Sequence, residues 1–245
     1  MQALHRLKIL KNSGHQLNTS IFVLLSMVFL HMIGAKHLEI SGFSPRSLEF
    51  SLKNFIFYPP LALICIYSIR KFRAYSSNFL LFYMGLIWAG AFWILYLSHL
   101  DKVLLGLIFF EVLISFYFYL LWNEELNLAC HNPDFTLYDL DPESFHQIQA
   151  SLIVKDSRCE AILSNWDDQS CFVKLVNPIS LTGEVKLEIV YDGQNFEESG
   201  KIVSEYGDFK GVGIKWNLKQ QTDKFNWKNF YEVIYERGIL PLWVK

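Results

Sequence analysis

The sequence predicts an α+β protein: four transmembrane α-helices followed by a small six-stranded antiparallel β-barrel with a C-terminal helix. Three observations predict it. Long apolar runs crowd the first half, short alternating runs broken by turn signals fill the second, and the formal charge divides at the same boundary. Of 245 residues, 52% are hydrophobic and 16% aromatic, including 21 Phe. The first 122 residues carry ten Lys/Arg and four Asp/Glu, a formal charge of +6; the remaining 123 carry twelve and twenty, a formal charge of −8. A basic membrane half suits anionic lipid headgroups. An acidic second half argues against nucleic acid, whose phosphates demand a positive footprint.

The division places a membrane domain over residues 1–122, an acidic linker over 123–144 and a barrel domain over 145–245. In the N-terminal stretch Leu4, Leu7, Ile9 and Leu10 alternate with Arg6, Lys8 and Lys11, which reads as a short helix lying at the membrane interface. No small-residue cleavage site follows it. Spans are expected over about 19–35, 54–69, 79–97 and 103–122. At 1.5 Å per residue the longer two cover roughly 28–30 Å, the thickness of a hydrocarbon core. Pro59-Pro60 marks a kink or late helical start in the second span.

Positive clusters set the orientation. Arg6, Lys8 and Lys11 precede the first span, and Arg70, Lys71 and Arg73 fill the turn between the second and third. Dense Lys/Arg clusters stay on the cytoplasmic side, so both termini and the barrel are expected there. The four cysteines, Cys65, Cys130, Cys159 and Cys171, show neither CxxC spacing nor zinc-ligand spacing with His, and read as reduced thiols. Glu111 lies midway along the fourth span, and His31 in the first is its expected partner. An intramembrane ionisable residue is a functional candidate because it is costly to bury. The preferred role is a neutral hydrogen-bonded pair that fixes helix packing, followed by a subunit contact and then transport. Gly85, Ala89 and Gly90 form a small-residue face read as helix packing.

The linker holds Asn132-Pro133-Asp134 and Asp141-Pro142-Glu143. His131 and His146 lie among Asp134, Asp139 and Asp141 at irregular spacing, which describes a solvated arm rather than a metal site. Strand-like runs then cover 148–155, 158–165, 170–175, 183–191, 196–205 and 211–216. Turn signals separate them at Asp167-Asp168, Asn177-Pro178, Asp192-Gly193 and Tyr206-Gly207-Asp208. Asp167-Asp168 reads as a solvated turn. A final helix is expected, capped by Thr222 or Asp223, with Phe225, Phe230, Val233 and Ile234 at helical spacing and Gly238 and Pro241 beyond it.

Two segments resemble the PilZ domain, a six-stranded barrel followed by a helix that commonly senses cyclic di-GMP in bacteria. Glu160 to Val173, EAILSNWDDQSCFV, is similar to that family's strand–turn–strand around a [D/N]-x-S-x-x-G motif. Gly200 to Trp216, ending in GVGIKW, is similar to its closing pair of strands. The resemblance covers about Phe145 to Arg237. It implies a ligand face that includes Asn165, Asp167 and Ser170, where Asp167 stands in place of the family's Ser and Ser170 in place of its Gly. The family's R-x-x-x-R motif has no counterpart, because no Arg or Lys occurs from Asn123 to Val154. Paired arginines would grip phosphate by bidentate, charge-assisted bonds. A carboxylate about 4 Å from a phosphate costs roughly 4 kcal/mol at an effective dielectric near 20. The departures therefore argue against cyclic di-GMP and leave a degenerate domain that binds protein.

No P-loop, GxGxxG, HExxH or GxSxG motif occurs, and nothing points to catalysis, a cofactor or a metal. The expectation is a non-catalytic bacterial inner-membrane subunit. Its barrel would dock onto another protein of an envelope machine for polysaccharide synthesis, secretion or motility, with lipids and a second copy of the chain as further partners. Two alternatives stand beside it: a nucleotide sensor using Arg158, Lys174 and Lys215, and a small transporter or channel using Glu111.

Overall fold

The computed structural model describes residues 7–11, 13–73, 75–131, 148–154, 157–206, 210–216 and 225–237. The chain forms two compact units. One is Asn12–Leu126; the other joins Met1–Lys11 to Asn127–Lys245.

The helical unit contains α1 (Gly14–His37), α2 (Pro45–Phe55), α3 (Tyr58–Arg70), α4 (Ser76–Leu97) and α5 (Lys102–Asn127). α1, α4 and α5 are each long and apolar enough to cross a membrane. α2 and α3 reach that criterion only as a pair bent by 69°. The expected second span is therefore a shorter helix preceded by a separate one. Pro59 and Pro60 sit in the first turn of α3, where a missing amide costs least, so the helix starts there instead of running on from α2. Ser44 caps α2 and Pro45 follows at its first position, a start signal missed in the sequence.

Polar side chains lock the helices to one another's backbones. Gln16 Nε2 donates to the carbonyls of Ile69 and Arg70, satisfying the open end of α3 from the start of α1. Tyr83 Oη on α4 donates to Val23 O on α1, and Tyr58 Oη on α3 donates to Leu86 O on α4. Of the expected small-residue face, only Gly90 packs closely: a Cβ there would meet Tyr58 Oη at 2.9 Å and Leu30 Cδ1 at 3.2 Å. Gly85 has nothing within 4 Å of its Cβ position, and Ala89 is exposed. Leu25, Val28, Phe82, Trp93, Phe109 and Phe110 are exposed on the outside of this unit, the arrangement lipid requires.

α5 continues through Trp122 to Asn127, so the expected linker begins as helix. Asn123-Glu124-Glu125-Leu126 carries no helix breaker, and Glu125 is buried with His15 Nε2 4.0 Å from its carboxylate. A 3₁₀ turn at Ala129–His131 follows. Residues 132–147, including Asp134, Asp139, Asp141 and His146, lie outside the described residues.

The second unit is a closed six-stranded antiparallel barrel. Its strands are β2 (Gln149–Val154), β3 (Ser157–Trp166), β4 (Ser170–Leu175), β5 (Glu184–Tyr191), β6 (Gln194–Tyr206) and β7 (Gly211–Trp216). The order is β6-β5-β2-β3-β4-β7, and pairing of β7 back onto β6 closes it. Alternation along β5 buries Val185, Leu187 and Ile189 inside. Asp192 and Gly193, at φ 54° and 77°, form the two-residue turn between β5 and β6, the left-handed pair that matches strand twist. α6 (Trp227–Glu236) packs Trp227, Phe230 and Ile234 into the barrel core. Its cap is Asn226, whose side chain accepts from Asn229 N; Thr222, Asp223, Gly238 and Pro241 lie outside the described residues.

A seventh strand corrects the N-terminal expectation. Leu7–Ile9, expected as a surface helix, is β1, paired antiparallel with Ser204–Tyr206 of β6. Alternation of apolar and basic residues has a period of two, the strand repeat, and β6 offers a free ladder beyond the end of β5.

Candidate functional site

The β3–β4 turn carries Asp167 and Ser170, two of the residues singled out by the PilZ resemblance, and both bond to a segment of the same chain. Asp167 N donates to Ser170 O at 2.9 Å, closing the turn, and Gln169 N donates to Asp167 Oδ1 at 2.7 Å. Trp227 Nε1, from α6, donates to Asp167 O at 2.8 Å, and Trp216 N, from β7, donates to Gln169 O at 3.1 Å. The turn is thereby fixed from two sides before its side chains act.

The 3₁₀ turn that follows α5 lies against it. Ala129 N donates to Asp167 Oδ2 at 2.6 Å. Cys130 N donates to Ser170 Oγ at 3.2 Å, and that hydroxyl donates onward to Asp167 Oδ2 at 2.7 Å. One carboxylate oxygen therefore reads two consecutive backbone amides, the first directly and the second through a serine. On the opposite side Ser204 Oγ, from β6, donates to the carbonyl of Cys130. Both backbone groups of Cys130 are thus satisfied by barrel side chains, as burial demands.

The close approach depends on Gly213 of β7. A Cβ at this position would collide with the Cys130 carbonyl and with Ser204 Oγ. The second glycine of GVGIKW makes room for another stretch of backbone, a use only glycine serves. Asp167 is 8% exposed, while Ser170 and Ser204 are fully buried. The solvated turn expected at Asp167-Asp168 is corrected: Asp168 is exposed, but Asp167 points inward and is bonded.

Val203 gathers the same region. The pairing of β6 with β7 shifts register between Ile202 and Ser204, leaving Val203 as the extra residue of a β-bulge. Its carbonyl accepts from Leu10 N at 2.9 Å, and its side chain clusters with Leu128 and Cys130. The lead-in to α1 and the exit from α5 are therefore held by one residue.

The other expected site residues are dispersed. Asn165 Oδ1 accepts from Trp166 N beside a second bulge in β3. Arg158 pairs with Glu188 at 3.4 Å near the β2–β3 hairpin, Lys174 stands opposite Gly211 across β4 and β7, and Lys215 stands opposite Lys201 across β6 and β7. In the helical unit His31 bonds to Ser51 Oγ at 2.6 Å and to Gly42 O at 2.7 Å; Glu111 is not its partner. Glu111 is 8% exposed, and its Oε1 has no hydrogen bond. Burial pushes the Cys171 thiol, next to Ser170, well above the ordinary cysteine range. All four cysteines are free.

Ser204, Gly213, Val203 and the turn at Ala129–His131 were not legible as site residues. The second glycine in GVGIKW was the one available signal, since an interior strand glycine marks a close approach. No known family model matches the chain, and no curated protein matches its sequence.

Proposed function

We propose that the chain is a non-catalytic bacterial inner-membrane subunit whose degenerate PilZ-like barrel, on the cytoplasmic side, docks onto another protein of an envelope machine. One observation carries this reading. Asp167 and Ser170, two of the three residues that the PilZ resemblance puts on a ligand face, are bonded to Ala129 and Cys130 of the same chain, and Asp167 accepts backbone amides where a phosphate would require donors. A barrel that engages these residues with its own chain keeps its outer surface for recognition. That surface carries mixed charge, with Lys186 held between Glu197 at 2.8 Å and Glu188 at 3.6 Å and Arg158 beside Glu188. Mixed charge favours specificity toward a protein over capture of a polyanion.

Two measurements on the full chain in mild detergent test the proposal. Titration calorimetry with cyclic di-GMP is expected to give no heat of binding, and micromolar affinity would overturn the reading. Purification from native membranes is expected to bring down one stoichiometric protein that is lost when Lys186 and Arg158 are both reversed to Glu. A chain that purifies alone from membranes containing every neighbour would count against a subunit.

A further inference from the structure

The contacts around Cys130 hold a short turn, Ala129–His131, against the closed barrel of the same compact unit, just after the last residue of α5. We propose that Leu128–His131 is a detachable latch. A groove built from Asp167, Ser170, Ser204 and Gly213 holds the exit of α5 by its backbone and releases it while the barrel stays closed.

Three features make the turn separable from the barrel. First, its apolar contacts belong to a small satellite cluster of Leu128, Cys130 and Val203, apart from the main core that runs from Ile148 through Ile234. Lifting the turn leaves that core covered, and such satellite clusters open at lower cost than the body of a domain. Second, every strand pairing that closes the barrel is made without the turn. Third, the groove is polar. Its carboxylate and two hydroxyls accept water once the turn leaves, so release strands no buried donor or acceptor in the barrel. A segment meant only to complete a core would be held by apolar side chains. Here the barrel reads the N–H groups of Ala129 and Cys130 and the carbonyl of Cys130, and gives up a side chain at Gly213 to admit them.

The latch also has a defined mechanical output. The turn begins two residues past Asn127, the last residue of α5. Val203, which it covers, also holds Leu10, four residues before the first residue of α1. Release therefore frees the segment that follows α5 and removes one side of the packing around Val203, which holds Leu10. The inference concerns the chain alone and stands whether or not the barrel recruits another protein.

Thiol accessibility tests it, because Cys130 lies in the latch and Cys171 in the barrel core, both fully buried. Full-length variants retaining only Cys130 or only Cys171 are exposed in detergent micelles to a water-soluble maleimide. The expected result is modification of Cys130 about tenfold faster than Cys171. Gly213→Ala should raise the Cys130 rate by about a further tenfold and leave Cys171 unchanged. Ser204→Ala removes a donor without adding bulk and should act in the same direction, so it decides the matter if Gly213→Ala does not fold. Equal rates at the two cysteines, or variants that accelerate both together, would show that the turn leaves only when the barrel unfolds and would overturn the proposal.

Discussion

The carbonyl oxygen of Cys130 occupies the place where a side chain at Gly213 would begin. Two distant stretches of backbone meet there because one of them carries no Cβ. Gly213→Ala is therefore expected to destabilise the protein by about 1–3 kcal/mol, the usual cost of forcing extra atoms into a packed site. The cost has a ceiling, since the turn can leave the groove. Adding Asp167→Ala to Gly213→Ala should then cost clearly less than Asp167→Ala alone, as expected for residues that share one contact. Denaturant unfolding followed by tryptophan fluorescence measures both changes, and full additivity would disconnect the two positions.

Asp167 accepts from Ala129 N, Gln169 N and Ser170 Oγ. Asp167→Ala leaves these donors unpaired in a buried site and is expected to cost about 3 kcal/mol. Asp167→Asn keeps one acceptor oxygen but turns an amide N–H₂ toward a donor, so it should also be destabilising by about 2 kcal/mol. Asp167→Ser restores the residue of the motif the sequence resembles. It is expected to leave calorimetry with cyclic di-GMP silent, because neither the arginines nor an open face comes with it. Thermal unfolding and calorimetry on the same variants check the pair of statements.

The contrast between these residues explains what could be read in the sequence. The strands of the barrel were legible because β5 alternates strictly and Asp192-Gly193 matches the left-handed backbone its turn needs. α1, α4 and α5 were legible because an unbroken apolar run has few other uses. Leu7–Ile9 was misread although its period of two was visible: a short basic and apolar segment beside a membrane span suits a surface helix, and only the open ladder of β6 decides for a strand. The site was less legible still. Asp167 and Ser170 stood out through a motif, but their partner lies 38 to 40 residues away along the chain, in a turn with no sequence signature. Long-range backbone recognition leaves almost no local trace, apart from the glycine that makes room for it.

Depth along the spans pairs His31 with Glu111, whereas both ring nitrogens of His31 bond elsewhere, to Ser51 and Gly42. His31→Ala should cost stability through its bonds to Ser51 and Gly42, about 1–2 kcal/mol. Glu111→Gln should change stability little, since the carboxyl oxygen it alters has no partner. Because His31 and Glu111 share no hydrogen bond, the double variant should equal the sum of the singles within about 0.5 kcal/mol. Thermal melts of the four proteins in one detergent test this, and a coupling above about 1 kcal/mol would restore the pair. Loss of a solute flux in Glu111→Gln with unchanged melting would instead favour transport.

Cys171 gives the barrel a pH dependence with a definite sign. Burial, reinforced by Asp167 and Cys130, raises its pKa well above the ordinary 9.0. In the unfolded chain the thiol ionises near 9, while in the folded barrel it stays protonated. The folded state therefore binds more protons above that pH, and stability must fall as pH rises past about 9, by up to ~1.4 kcal/mol per pH unit for one thiol. Below about pH 8 the thiol is protonated in both states and contributes no slope. Tyr231, whose pKa burial also raises, acts in the same direction near pH 10, so the assignment rests on a comparison. Cys171→Ala is expected to flatten the decline between about pH 8.5 and 9.5, whatever it does to stability at neutral pH. Denaturation midpoints measured across that interval for both proteins decide it, and an unchanged slope would mean that the thiol is reached by solvent before the barrel opens.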